Sequence, residues 1–232
     1  MRFLVEGRLF ETFPRLRIGV LVVEVDNRRG FHDRLESTVE EIRERFPFER
    51  PQDHPHIRAW RDAFSKVGIS PSKFYSSTEA LLRRALKGGP FPKVNPLVDL
   101  YNAISLKYLV PIGGHALEPI EGDIHLCFAK GKETFVPMHG GEREVVEEGE
   151  VIYRDEREVL TRRWVRRQCD KDKVTEKTRH VFLPIDIMEG MAEHTYERVI
   201  EEFEAYFAEK KNGLILHKDL LCSDKAETEF NL

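Results

Sequence analysis

Asp99, Asn102 and Ser105 recur at a spacing of three inside a segment that is otherwise apolar, NPLVDLYNAISLKYLV. On a helix they fall on one narrow stripe. A carboxylate or amide removed from water without partners costs about 1–3 kcal/mol or more. Something must therefore satisfy the stripe. Either neighbouring backbone does so, with Asp99 helped by its place in the first turn, or the stripe lines a polar pocket. Tyr101 stands directly before Asn102. His115 follows shortly, after Pro111 and the pair Gly113-Gly114. Glycines let a backbone approach a ligand closely, and an imidazole donates or accepts protons near neutral pH. Asn102 and His115, with Tyr101, Asp99, Gly113 and Gly114 around them, are the first candidates for a site.

A second concentration of chemistry lies at Thr161–Gln168, which carries Arg162, Arg163, Trp164, Arg166 and Arg167. From Thr161 to His180 there are eight Lys/Arg and three Asp/Glu, whereas Glu142–Leu160 holds eight Asp/Glu and three Arg. These neighbouring blocks are near mirror images. One reading is a salt-bridged, solvated hairpin. The other is a platform for nucleic acid, with arginines for phosphates and Trp164 for stacking on a base. As a single strand, the segment would put Arg163, Val165 and Arg167 on one face and Arg162, Trp164 and Arg166 on the other. Arg83, Arg84, Lys87 and Lys93 form another basic cluster before the polar-striped segment.

Other chemistries are missing. The sequence has no GxGxxG, no phosphate-binding P-loop, no HExxH and no GxSxG. His54 and His56 flank Pro55, a spacing that cannot place both on one helical face, so no metal site is expected there, and no cofactor is expected at all. Cys127, Cys169 and Cys222 are widely separated, which excludes a zinc ribbon or dense disulfide framework and suits a reducing, cytoplasmic setting. Cys127 reads as a small buried strand residue. No apolar run approaches membrane-spanning length. In 232 residues, 37 basic side chains against 41 acidic ones give a net charge of −4, which excludes a uniformly basic nucleic-acid coater but not a local basic patch.

Several elements must position these groups. Arg17–Val25 is a β-branched run, apolar enough to be buried on both faces. Phe31–Phe46 has helical periodicity, His56–Val67 a second helix, and Ser76 with Glu79 has capping-box spacing ahead of a third. Asn95 and Pro96 begin the polar-striped helix, which runs to about Leu109. Strands are expected at Ile124–Phe128, Glu133–Val136, Val151–Tyr153 and Val181–Ile187, with a turn at Gly140-Gly141. Met191–Lys211 is a long amphipathic helix, followed by a short strand at Leu214–His217 and a polar tail. Blocks of helices and strands, rather than strict alternation, favour an α+β fold.

The run from Asn95 to Asn102, followed by Pro111 and His115, resembles the B3/B4 module of the phenylalanyl-tRNA synthetase β subunit. The resemblance spans roughly Ile57 to Glu189, and with the RRW…RQ stretch it is similar to free-standing B3/B4 proteins. It implies a B3/B4-like core of strands in a sandwich-like sheet assembly flanked by helices. Residues 1–232 would form one domain, with extensions packed on a core at about 57–189. It also implies an RNA-binding editing protein that hydrolyses the ester of mischarged tRNA, chiefly with tyrosine, and whose partner is the acceptor end of an aminoacylated tRNA. The family's pocket asparagine falls on Asn102, its preceding residue on Tyr101 and its histidine on His115. The family more often has threonine at the Tyr101 position, and its tyrosine-sensing glutamate has no clear match along His180–Ile185. An aminoacyl ester is already activated, so deacylation needs a positioned water and oxyanion donors, each worth roughly 3–4 kcal/mol. Asn102 would orient the substrate and His115 would hold water or the ribose. Two other readings remain open: a non-catalytic RNA-binding module and an amino-acid-binding protein without RNA contact.

Overall fold

Helix starts follow their local signals. Asn95 accepts a hydrogen bond from the amide of Val98, Pro96 takes the first helical position, and Ser76 accepts from the amide of Glu79. The computed structural model describes residues 1–28, 33–138 and 140–232. In chain order the elements begin with β1 (Arg2–Val5), α1 (Gly7–Thr12), β2 (Arg17–Val25), α2 (Asp33–Arg45), α3 (Pro55–Lys66), α4 (Ser77–Lys87) and α5 (Pro96–Tyr108). Next come β3 (His115–Ala116), β4 (Ile124–Phe128), β5 (Thr134–Phe135), β6 (Glu144–Val145), β7 (Val151–Arg154), β8 (Val159–Arg162) and β9 (Arg167–Gln168). The chain ends with β10 (His180–Ile187), α6 (Thr195–Lys210), β11 (Gly213–Leu221) and β12 (Glu227–Glu229). The fold is α+β.

The strands form a six-stranded sheet, ordered β12-β1-β4-β7-β8-β9, and a four-stranded sheet, ordered β11-β2-β10-β3, with β5 and β6 as a separate pair. Within these sheets only β1 and β4 run parallel. The two large sheets meet through aromatic side chains: Phe3 of β1 lies 4.9 Å from Phe182 of β10, centroid to centroid. Strand β2 is the spine of the four-stranded sheet, with Val22 opposite Phe182 on one side and opposite His217 on the other. At Gly19 a side chain would sit 2.7 Å from the ring of Tyr196, so glycine there lets α6 lie on the sheet.

Helix α5 is apolar all round because it joins two cores. Leu97, Leu100, Tyr101 and Ile104 pack with the sheets, whereas Ala103 and Leu106 join Leu35, Val39, Ile57, Leu82 and Ala85 in a cluster between helices. Buried Asn27 fixes its start, donating to Asn95 Oδ1 at 2.9 Å and accepting from the amide of Leu97 at 2.9 Å.

Several expectations need correction. The Phe31–Phe46 helix covers Asp33–Arg45, and Phe31 and His32 lie outside the described residues. Helix α6 begins at Thr195 rather than Met191, because His194 takes a left-handed conformation with φ 61°. The short strand at Leu214–His217 extends from Gly213 to Leu221, and the polar tail contributes β12, which pairs with β1. Thr161–Arg167 is not one strand. Arg163 and Trp164 have φ of 49° and 61°, so the chain reverses between β8 and β9 and turns Trp164 inward.

Candidate functional site

A cleft of about 260 Å³ opens between α4, α5, the loop entering β3, the β8–β9 turn and β10. Tyr101, Asn102, Gly113, Gly114 and His115 all line it. The polar stripe of α5 divides. Asp99 accepts from the amide of Val94 at 3.0 Å, and Ser105 donates to the carbonyl of Val110 at 2.7 Å. Both ends of the stripe are satisfied near the helix itself. Only Asn102, half-buried, lines the cleft, so Asp99 is removed from the pocket set.

His115 is 2% exposed, and its Nδ1 hydrogen-bonds Asp172 Oδ2. A carboxylate can only accept there, so Nδ1 carries a proton, and in the neutral imidazole Nε2 is then the lone-pair nitrogen. That Nε2 edge lies beside Gly113, where a side chain would stand 3.4 Å from it. Asp172 is fully buried, and its Oδ1 accepts from Gln168 Nε2 at 3.2 Å and Cys169 Sγ at 3.1 Å. Gln168 also donates to the carbonyl of Gly114 at 2.6 Å. One polar network thus orients the imidazole and holds the glycine loop. At Gly114 a side chain would meet the Tyr101 ring at 2.6 Å, so the glycine permits that approach.

Asp186 of β10 also lines the cleft, and it is 1% exposed. Its Oδ1 accepts from Tyr153 Oη at 2.8 Å and from Trp164 Nε1 at 3.0 Å. Burial pushes its carboxyl up to about 7, against the pull of those two donors and of His115. Burial, with Asp172 and Asp99 nearby, holds the Tyr101 phenol protonated above the ordinary tyrosine range. Burial likewise raises the Cys169 thiol and takes the Cys127 thiol up to about 11, so neither is poised as a nucleophile.

The basic candidates separate in the same way. Arg84 and Arg166 are exposed and line the cleft mouth. Arg163 and Arg166 both lie over Phe74, at 4.0 and 4.7 Å from its centroid, without an ion pair among the described residues. Arg162 contradicts its reading as an RNA contact: its side chain is 6% exposed, held by Glu150 at 2.8 Å and Glu144 at 2.5 Å. Arg167 pairs with Glu144 at 2.8 Å, and Arg83 with Glu79 at 2.9 Å, so both are engaged internally. Trp164 does border the cleft but is fully buried, edge-on to Trp60 at 5.2 Å, and offers no free face to a base. The acidic and basic blocks are therefore partly cross-braced, as a salt-bridged hairpin requires.

Sequence reasoning missed Asp172, Gln168 and Asp186. Asp186 had a signal, a lone carboxylate in the apolar run VFLPIDI. Asp172, between two lysines, had none, since only the fold brings it to His115.

Among the described residues no group of three or more His, Cys, Asp or Glu could hold a metal ion, and no helix is long and apolar enough to cross a membrane. No curated protein matches the chain. Among solved structures it is similar to an N-terminal fragment of the phenylalanyl-tRNA synthetase beta-subunit from Pyrococcus horikoshii, with 15% identity and a TM-score of 0.41 over 77% of this chain and 73% of that one. A model of the B3/4 domain family matches residues 59–210, well over half of the sequence, and the protein belongs to that family.

Proposed function

We propose that the protein is an aminoacyl-tRNA deacylase, binding the acceptor end of a mischarged tRNA and hydrolysing its ester in this cleft. The observation that carries the reading is Asn102 and His115 on one cleft, with Asp172 leaving Nε2 of His115 as the accepting nitrogen. A water held at Nε2 gives up its proton to the imidazole as it attacks the ester carbonyl. The Asn102 amide holds the aminoacyl end in register. No covalent intermediate is invoked, because the leaving ribose hydroxyl already makes the ester reactive and the thiols are protonated.

Arg84 and Arg166 at the mouth suit the phosphates of a terminal nucleotide, with Arg163 beside Arg166 over Phe74. The chain would work as one B3/B4-like domain over residues 1–232, in the cytoplasm. The test is deacylation of tyrosyl-tRNA(Phe) and a broad panel of other mispaired aminoacyl-tRNAs. Hydrolysis well above background, lost in Asn102→Ala and His115→Ala, is expected. No activity across the panel would overturn the reading, and salt-dependent tRNA binding without hydrolysis would replace it by a non-catalytic RNA-binding module. Activity unchanged in both variants would move the site elsewhere.

A further inference from the structure

Among the described residues Asp186 is the one carboxylate lining the cleft, and they give it no salt-bridge partner. It is 1% exposed, yet no Lys, Arg or His among the described residues forms a salt bridge with it. Both of its side-chain donors, Tyr153 and Trp164, bond to Oδ1, and Oδ2 receives no hydrogen bond from a described residue. A buried carboxylate left in that state is costly, and a cation beside it removes the cost. Its neighbours on the wall, Tyr153, Trp164 and Tyr101, carry no charge that would oppose a cation. The mouth has the opposite sign, with exposed Arg84 and Arg166. The cleft is thus polarised along its depth, negative within and positive at the rim.

We infer that Asp186 is the recognition point for a primary ammonium group, so that the cleft takes ligands carrying an amine inward and an anionic group outward. Identifying that amine as the α-amino group of an esterified amino acid, with nucleotide phosphates at the rim, rests on the proposed function. The amine preference itself does not. The groups that face Asp186 are Tyr153 from β7, Trp164 from the β8–β9 turn and His115 from β3; the first two are neutral donors, and His115 hydrogen-bonds Asp172 rather than Asp186. Because burial pushes the carboxyl up to about 7, an ammonium ligand bound below that pH must displace a proton. Amine affinity should therefore rise between pH 6 and 8.

The experiment compares 2-phenylethylamine with 2-phenylethanol, matched in size, by ligand-observed NMR titration of the full chain at pH 6 and 8. The expected result is amine binding about tenfold or more tighter than alcohol at pH 8, with the gap narrowing at pH 6. In Asp186→Asn the preference should fall to about threefold or less. Equal affinities, alcohol preferred over amine, no binding of either probe at millimolar concentration, or a preference that survives Asp186→Asn would each overturn the inference. If the variant does not fold, the wild-type pair decides. An amine preference without deacylase activity would sink the proposed function and keep the subsite. Deacylase activity without the preference would do the reverse.

Discussion

Replacing Asp172 by Asn tests the orientation of His115 without changing the shape of the network. Asp172 accepts three donors, His115 Nδ1 on Oδ2 and both Gln168 Nε2 and Cys169 Sγ on Oδ1. An amide offers one accepting oxygen and one donating nitrogen. If its oxygen faces His115, its NH₂ confronts the Gln168 and Cys169 donors, and a buried unsatisfied group costs about 1–3 kcal/mol. If its oxygen faces Gln168 and Cys169, its NH₂ can donate to Nδ1, provided the imidazole moves its proton to Nε2. The second arrangement satisfies every group and loses only the charge assistance of one hydrogen bond, about 1 kcal/mol. The variant should therefore fold with nearly unchanged stability and carry the opposite His115 tautomer. A base with its lone pair turned away from the cleft forfeits general-base catalysis, about 10²–10⁴ in rate or roughly 3–5 kcal/mol. The tautomer is read from imidazole ¹⁵N shifts, stability from urea unfolding and the rate from single-turnover deacylation. An unchanged tautomer would refute the hydrogen-bond argument, and a flipped tautomer with full activity would remove His115 from the chemistry.

Three further outcomes can be measured. Arg162→Met leaves Glu150, whose side chain is 6% exposed, without its buried partner, and a loss of about 3–5 kcal/mol in urea unfolding is expected; a loss below about 1 kcal/mol would remove the strut. Arg163→Ala and Arg166→Ala, which break stacks on Phe74 but no ion pair among the described residues, should each reduce the salt slope of tRNA binding by about 1 while stability changes by roughly 0.5 kcal/mol or less; an unchanged slope would turn RNA away from this face. Burial beside His56 lowers His54 to about 4, below its unfolded value, so the stability it contributes is full above pH ~6.5 and is lost as the pH falls toward 4. His54→Asn keeps an acceptor for the His56 amide, and its urea midpoint should fall less than the wild type's between pH 7 and 5.

What the sequence disclosed was mostly local. The caps at Ser76 and Asn95 act over three residues, and both were readable. The polar stripe announced that α5 had unusual surroundings, but whether each polar group met backbone or cleft depended on Val94, Val110 and the β3 loop. The basic hairpin misled because periodicity assumes an unbroken strand, and Arg163 and Trp164 in left-handed conformation invalidate the alternation. Asp172 was silent because it lies 57 positions from its histidine, with nothing nearby to mark it. Strand β12 was missed because three polar residues at an edge have no core pattern to display.

The pairing of β2 has a consequence for how the chain folds. Its partners are β10 at 180–187 and β11 at 213–221, and among the described residues no strand nearer in sequence lies against it. At synthesis rates of about 5–20 residues per second, the most apolar strand waits roughly 10–40 s for both neighbours. Through that interval RIGVLVVEV is an unpaired β-branched segment bearing a single carboxylate, the composition most prone to join another chain. Yield on expression should depend on temperature and on chaperone supply during translation more than on the stability of the finished molecule.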